Sequence, residues 1–354
     1  MQHKKLIAAM VAAGLSMPAL AVADITIYGR AHLSADILDD GKDYNEFNVS
    51  SNSSRLGFKG ERTFADGLTA MFQIEQEINY DTSGSAWASR DTFAGLKGDW
   101  GMLRIGKFDT PFKLARGPAN FFGDQAGDLR NITRTNDHGR FDERFNNSIH
   151  YRSPSLNGLV WDIQYSNENG GSSTVEDAKN KAVSTSLGYS NGPINVVIAY
   201  ESQDIYRETG GVVDYDYSAD AWRLAASYRI TSDFRLAGFY QQTENTRGVE
   251  GQEADVFGIA GQYRISPSVY LNAHWFTLDS DLEKRDANLY AIGLEYRVDS
   301  ALRFYGNLAF MDNDDNSSLT PWGAARSAAP STAEGVNARG EMATAFSLGM
   351  RYDF

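Results

Sequence analysis

Apolar and polar residues alternate with a period of two along most of the chain after residue 23. Four clear examples are residues 68–78 (LTAMFQIEQEI), 222–230 (WRLAASYRI), 290–298 (YAIGLEYRV) and 302–310 (LRFYGNLAF). In each segment the apolar and aromatic side chains fall on one face of an extended chain, and the charged, polar and small side chains fall on the other. The pattern predicts β-strands with one apolar face each, and its repetition predicts an all-β protein.

The predicted strands are about ten residues long, which is the length that a tilted strand needs to cross a bilayer. Strands of soluble proteins are typically about five or six residues long. Tyrosines lie near many predicted strand ends, as aromatic girdles require: Tyr28, Tyr165, Tyr189, Tyr200, Tyr228, Tyr240, Tyr263, Tyr296 and Tyr352. A soluble sandwich would also alternate, but these two features favour a closed barrel in lipid. No run of 18 or more apolar residues follows residue 23, so we expect no transmembrane helix.

Short and long connections alternate between the predicted strands. The short turns, rich in Gly, Pro, Asn and Asp, lie at 64–67, 98–101, 153–158, 190–193, 231–233, 266–268 and 298–301. The long polar loops lie at about 37–53, 79–88, 110–143, 167–181, 203–219, 244–254, 280–286 and 312–341. Fifteen connections join sixteen strands. We therefore predict one domain, residues 24–354, that forms a 16-stranded antiparallel transmembrane β-barrel.

The chain ends in the segment AFSLGMRYDF, residues 345–354. Its even-numbered residues from Phe346 to Phe354 are apolar or aromatic, and the residues between them are small or charged. We expect the even-numbered side chains to face lipid and the odd-numbered ones to face the lumen. This strand must pair with the first strand to leave no open edge in the membrane.

The N-terminus has the pattern of a secretory signal peptide. Lys4 and Lys5 precede the apolar segment LIAAMVAAGLSMPAL, and the A-x-A site Ala21-Val22-Ala23 follows it. This order predicts cleavage after Ala23 and export of residues 24–354. An N-terminal membrane anchor is the alternative, and the A-x-A site argues against it.

Composition and charge exclude several kinds of chemistry. The 354 residues include no cysteine, which removes disulfides, thiolate metal sites and cysteine nucleophiles. The formal net charge of −13 argues against a nucleic-acid partner. The acidic segment 311–315, MDNDD, lacks a defined ligand spacing and reads as a solvated loop. We expect no metal site and no cofactor.

Catalytic motifs are also missing from the sequence. It contains no G-x-S-x-G, no H-E-x-x-H and no Walker A pattern, and its five histidines are scattered. We therefore expect the protein not to be an enzyme.

Several motifs, in order, resemble those of the Gram-negative general-diffusion porins, which are 16-stranded trimers of the outer membrane. They are YGR (28–30), SRLGFKGE (54–61), GLTAMFQIE (67–75), RDTFAGLKGDWGMLRIGK (90–107) and the terminal Phe354. The resemblance covers the chain after residue 23. It implies a passive outer-membrane channel for ions and small hydrophilic solutes, a homotrimer surrounded by lipid and lipopolysaccharide. It also implies that the barrel-assembly machinery reads the strand ending in Phe354.

The resemblance implies a charged pore constriction. Residues 110–143 match the third extracellular loop of the family, which folds inward. The basic residues that match the family's barrel wall are Arg30, Arg55, Arg90, Lys107 and Arg144. The alternation of residues along the predicted strand also places Arg104 on the inner face. Lys107 is out of phase with Arg104 unless the strand has a bulge at Gly106. The expected acidic partners on the loop are Asp124 and Asp128. Asn120 stands where the family often has another acid, so cation or anion preference stays open.

Two other classes of barrel remain as alternatives. A sugar-specific channel would need a line of aromatic side chains along the lumen, whereas Tyr28, Tyr270 and Tyr305 are scattered. An anion or phosphate channel would need a longer ladder of basic residues than the partial one in this sequence. An adhesin or autotransporter would need a passenger or a lumen helix. A passive channel with a transverse field between arginines and carboxylates is the expected function.

Overall fold

The computed structural model of the protein describes residues 24–84, 87–139, 141–169, 180–209, 212–324, 326, 330–331 and 335–354. The expected signal peptide, residues 1–23, lies outside the described residues. Within the described ranges, no helix is long and apolar enough to cross a membrane.

Strands account for most of the described residues. They are β1 (Asp24–Asp39), β2 (Asn45–Ser51), β3 (Arg55–Ala65), β4 (Leu68–Glu77), β5 (Thr92–Gly98), β6 (Gly101–Asp109), β7 (Arg144–Arg152), β8 (Leu159–Ser166), β9 (Ala182–Asn191), β10 (Ile194–Thr209), β11 (Val212–Arg229), β12 (Phe234–Glu244), β13 (Glu253–Ser266), β14 (Val269–Ser280), β15 (Ala287–Arg297), β16 (Leu302–Asn313) and β17 (Met342–Asp353). Two short helices, α1 (Pro111–Leu114) and α2 (Arg130–Thr133), and a 3₁₀ turn (Thr246–Gly248) complete the elements.

The strands form one closed antiparallel sheet. β2 and β3 both pair with β1, in registers that differ by one residue, because a bulge at residues 52–54 interrupts a single barrel strand. Ser53 at this bulge has φ +58°. The segments therefore occupy sixteen barrel positions, which confirms the predicted fold.

The last strand closes the barrel against the first. Arg30 lies opposite Asp353 in the β1–β17 register, and Gly29 and Phe354 exchange backbone hydrogen bonds of 2.9 and 3.1 Å. Phe346 and Leu348 are exposed on the outer face, whereas Ser347 between them is buried inside. The alternation in the sequence thus becomes an apolar outer surface and a polar inner wall.

Two segments that we predicted as long loops are largely strand. In the 37–53 region β1 and β2 form a hairpin, and in the 203–219 region β10 and β11 continue pairing as far as Thr209 and Val212. Polar side chains in these regions resemble loop residues, but their backbone groups are paired across the hairpin. The strands therefore extend past the apolar belt on the side of the long connections.

The barrel is not hollow at mid-height. Residues 110–143 (the inward loop) and parts of the 314–341 segment pack inside it, and their apolar side chains contact the inner wall. The largest buried cluster joins Phe122, Leu129 and Ile132 of the inward loop to Phe276 of β14 and to Trp322, all almost without solvent exposure. This cluster fixes the inward loop across the lumen.

Candidate functional site

A single arginine of the wall holds both ends of the inward loop. Arg223 of β11 donates from Nη1 to the backbone oxygen of Phe112 (2.7 Å) and to Oδ1 of Asp142 (2.6 Å). Its guanidinium carbon lies 3.9 Å from the centroid of the Phe112 ring. Phe112 lies in α1. The Thr110 hydroxyl caps the first turn of this helix by accepting a hydrogen bond from the backbone nitrogen of Lys113 at 3.1 Å.

The middle of the inward loop rests on the inner faces of β14, β15 and β16. Phe122 packs edge-on against His274 with 4.8 Å between ring centroids, and Asn307 donates to the side chain of Gln125 at 2.6 Å. Gly127 has φ +86°, and a Cβ placed on it would lie 2.7 Å from the Cβ of Ala291. Only glycine meets both requirements at this close approach.

The 314–341 segment supports the inward loop from within the lumen, a feature that sequence reasoning missed. The backbone oxygen of Pro321 accepts from the Gly127 backbone (2.7 Å) and from the Asn131 side chain (2.9 Å). Arg326 forms a fully buried ion pair with Asp36 of β1 and donates to Ser50 at 2.7 Å. The available signal was Trp322, a large aromatic side chain in a connection that we predicted as a polar loop.

A charged cavity of about 350 Å³ lies between the inward loop and the wall. Its basic lining consists of Arg55, Arg90, Lys113, Arg116, Arg130, Arg134 and Arg144. Its acidic lining consists of Glu77, Asp109, Asp124, Asp142 and Glu143. Ser53 and Ala324 complete the lining. With seven basic and five acidic groups, the lining carries a net positive formal charge.

Four of the predicted site residues line this cavity, and a fifth, Arg30, contacts one of them: the four are Arg55, Arg90, Arg144 and Asp124. Asp124 of the inward loop lies 3.1 Å from Nη1 of Arg30 and 3.7 Å from Nη2 of Arg55. Burial alone would raise the pKa of the Asp124 carboxyl group, but the charges of Arg130, Arg55 and Arg30 outweigh it and hold that pKa well below its ordinary value. Asp124 is therefore ionised throughout the physiological range.

Glu75 of β4 is a buried carboxylate that we did not predict. Its Oε1 lies 2.5 Å from Nε of Arg90 and 3.7 Å from Nη1 of Arg55, and its Oε2 accepts from the Tyr28 hydroxyl at 3.0 Å. Glu75 is 5% exposed and stands behind the two arginines. The strand phase of QIEQE already placed it on the inner face, so this residue was within reach of the sequence pattern.

Arg144 closes the cavity beside the root of the inward loop. Its Nε lies 2.6 Å from Asp91, and its Nη2 lies 3.0 Å from Oδ1 of Asp109. Lys113 of α1 contacts the same Asp109 oxygen at 2.8 Å. Burial and the charges of Arg144 and Arg116 lower the pKa of Lys113 to about 8, although Asp109 opposes the shift.

Asp128, the other predicted loop acid, faces the loop itself. It accepts from the backbone nitrogens of Asp124 (2.7 Å) and Arg130 (2.9 Å), and its Oδ2 lies 2.7 Å from Nη2 of Arg130. It is fully buried and does not line the cavity. Arg130 then reaches Oδ1 of Asp124 at 2.8 Å, so Asp128 shapes the turn that presents both residues.

Two predicted wall residues lie apart from the cavity. Arg104 of β6 lies over the rings of Phe93 (4.8 Å) and Phe108 (4.0 Å) and donates from Nε to His150 at 3.2 Å. Lys107 sits at a bulge, where the register with β7 shifts between residues 106 and 108, and it makes no ion pair with a described residue.

Comparisons with known proteins agree with this architecture. The family model of the Gram-negative porins matches residues 7–316. The major outer membrane protein P.IB of Neisseria meningitidis serogroup B is 30% identical over 311 residues, covering 83% of this chain and 88% of that protein. The chitoporin of Vibrio furnissii is 28% identical and covers 75% of this chain and 79% of its own. A solved anion-selective porin from Comamonas acidovorans shares the fold with a TM-score of 0.80 at 21% identity, over 94% of this chain and all of the other.

Proposed function

This chain belongs to the Gram-negative porin family, and we propose that the cavity beside the inward loop is the constriction of its pore. The protein is a diffusion channel of the outer membrane and not an enzyme. The inward loop is anchored at both ends by Arg223 and in its middle by Gly127. A loop held in this way narrows the lumen without a conformational cycle, so solutes cross by passive diffusion.

Anion preference is the more specific part of the proposal. It rests on one observation, the seven basic and five acidic groups that line the cavity. Glu75 and Asp91 also pair with arginines of the lining, but neither carboxylate lines the cavity itself. The negative charge of these two groups is therefore partly screened from a passing ion by the arginines. Fixed cations in a narrow aqueous passage raise the local concentration of anions and repel cations.

The lining does not support a sugar track. Among the described residues that line the cavity there is no aromatic side chain, and stacking of sugar rings needs aromatic faces. The charged lining instead suits small hydrophilic solutes, whose dipoles can align between Asp124 and the arginines around it.

The proposal extends to the assembly and its biogenesis, for which the family supplies the expectation. We propose a homotrimer in lipid and lipopolysaccharide, formed from residues 24–354 after cleavage of residues 1–23. The exposed apolar belt supports membrane contact, since residues such as Ile27, Ile292 and Leu348 face outward. The exposure of the Phe354 side chain supports the proposal that the barrel-assembly machinery reads this strand.

Reconstitution in a planar bilayer tests the proposal. In a KCl gradient we expect ohmic current steps, closing in groups of three, and a reversal potential displaced toward the chloride equilibrium potential. A displacement toward the potassium equilibrium potential would reject anion preference. Folded protein without any current would reject the assignment of the cavity as an open constriction.

A further inference from the structure

A second basic pocket lies between the inward loop and the mouth formed by the short turns. It has a volume of about 280 Å³ and includes Arg229, Arg235, Gln262, Arg264 and Tyr270 in its lining. These residues lie on the inner faces of β11 to β14, close to the turns at 230–233 and 267–268. We call it the vestibule pocket.

Two arginines of the vestibule pocket have no carboxylate partner among the described residues. Arg229 and Arg235 lie directly opposite each other in the β11–β12 register, and neither forms an ion pair. Arg264 in the same pocket is paired with Asp233 at 2.5 Å. Every basic group that lines the constriction also has a carboxylate within 4 Å. The vestibule pocket therefore holds two facing positive charges that no described carboxylate pairs with.

Arg235 is held in place without using its full capacity to donate. Its Nη2 donates to Oε1 of Gln262 at 3.0 Å, and Nε2 of Gln262 donates to Asn272 at 2.8 Å. Its guanidinium carbon lies 4.6 Å from the ring centroid of Phe121, which belongs to the inward loop. These contacts orient the guanidinium and leave its Nε and Nη1 without a hydrogen-bond partner among the described residues.

We propose that the vestibule pocket is a second anion site, which binds phosphate-type oxyanions on the short-turn side of the constriction. This inference rests on the proposed anion-preferring pore. Two facing guanidinium groups offer planar forks of N–H donors, which match the oxygens of a tetrahedral oxyanion better than they match chloride. Conduction requires sites that bind well enough to fill and weakly enough to empty. The vestibule pocket provides such a site next to the constriction.

Phosphate block of the chloride current tests the proposal. Inorganic phosphate is added to each side of a bilayer that contains the whole channel, while the current is carried by KCl. We expect block with a lower half-maximal concentration from the short-turn side. In the variant Arg229→Gln/Arg235→Gln, that concentration should rise roughly tenfold or more, because charge-assisted hydrogen bonds to the oxyanion are lost.

Arg152→Gln is the matched control. Arg152 lies near the same mouth but is already paired with Asp162 at 3.4 Å, so its loss should leave the phosphate block unchanged. Arg229→Gln alone guards against a folding defect, because this side chain is exposed and forms no hydrogen bond or ion pair with a described residue.

The outcomes separate this proposal from the one on which it rests. Block that is equal in the double variant and the wild type, or the same from both sides, overturns the vestibule site. A wild-type channel that conducts chloride without any phosphate block overturns it as well. A channel that prefers cations defeats the proposed anion-preferring pore itself.

Discussion

Nη1 of Arg223 lies 2.6 Å from Oδ1 of Asp142, and neither side chain is exposed to solvent. Because Arg223 also binds the backbone of Phe112, this pair ties the two ends of the inward loop to one point of β11. Burial alone would raise the pKa of Asp142, but Arg223 and Arg116 outweigh it and lower that pKa to about 2. The pair therefore stays ionised at the pH of the cell exterior.

Replacing Arg223 by Gln should loosen the inward loop. Removing one partner of a buried ion pair typically costs about 3–5 kcal/mol when the other charge is left without compensation. Here the cost is smaller, because Arg116 at 3.4 Å still partly compensates the charge of Asp142. We expect noisier open-channel current and faster tryptic cleavage inside the inward loop. Lys284→Gln, which breaks an exposed pair with Asp315, is the control and should change neither. A quiet, protease-resistant Arg223→Gln channel would show that the loop is anchored elsewhere.

Asp124 and Asp128 should respond differently to the same substitution. Asp124→Asn removes a lining carboxylate that faces Arg30 and Arg55, so the anion-to-cation permeability ratio should rise by about twofold or more. Twofold corresponds to roughly 0.4 kcal/mol, less than the ~1 kcal/mol between unit charges 4 Å apart in water. Asp128→Asn should lower the yield of folded channel instead, because Asp128 accepts two backbone hydrogen bonds. Reversal potentials and folded yield together distinguish the two roles, and identical behaviour would contradict them.

Arg90 should set selectivity, whereas Arg104 should not. Arg90→Gln leaves Glu75 with a weaker counter-charge, so conductance should rise and the reversal potential should move toward the potassium equilibrium potential. Arg104 is stacked on Phe93 and Phe108 outside the cavity, which makes Arg104→Gln the matched control of equal charge change. Equal shifts of the reversal potential in both variants would contradict the proposed constriction.

The lowered pKa of Lys113 predicts that ion selectivity depends on pH. Its pKa is lowered to about 8, so the amine is charged below that pH and neutral above it. Raising the pH from 7 to 9 therefore removes one positive charge from the lining, and the anion preference should weaken. Lys113→Arg should abolish the change, because a guanidinium keeps its charge over this range. A wild-type reversal potential that stays constant between pH 7 and 9 would exclude Lys113 from the ion path.

The sequence was sufficient to predict the strands of the barrel wall, but not the packing of the segments inside the lumen. Alternation with a period of two is a local property of a strand, so it placed Arg30 and Arg55 inside and the apolar residues outside. The shape of the inward loop depends on distant contacts, such as those of Arg223 and Gly127, which no local pattern encodes. Asp128 illustrates this limit, since its fully buried position depends on how the loop turns around it.

The buried pair between Arg326 and Asp36 should hold the 314–341 segment inside the barrel. Asp36→Asn leaves Arg326 buried without a counter-charge, at a cost of about 3–5 kcal/mol to the packed state of the segment. We expect this segment to become sensitive to proteases added from the long-loop side, and the current to become less steady, because Pro321 in it supports the inward loop.

A double variant separates the charge from the packing at this point. Asp36→Leu/Arg326→Met replaces the pair by apolar side chains of comparable size, and such replacements of buried pairs are often neutral or stabilising. It should restore most of the protease resistance that Asp36→Asn loses. If the double variant is as sensitive as the single one, then the contacts of Arg326 with Ser50 and its surroundings, and not the ion pair, fix the segment.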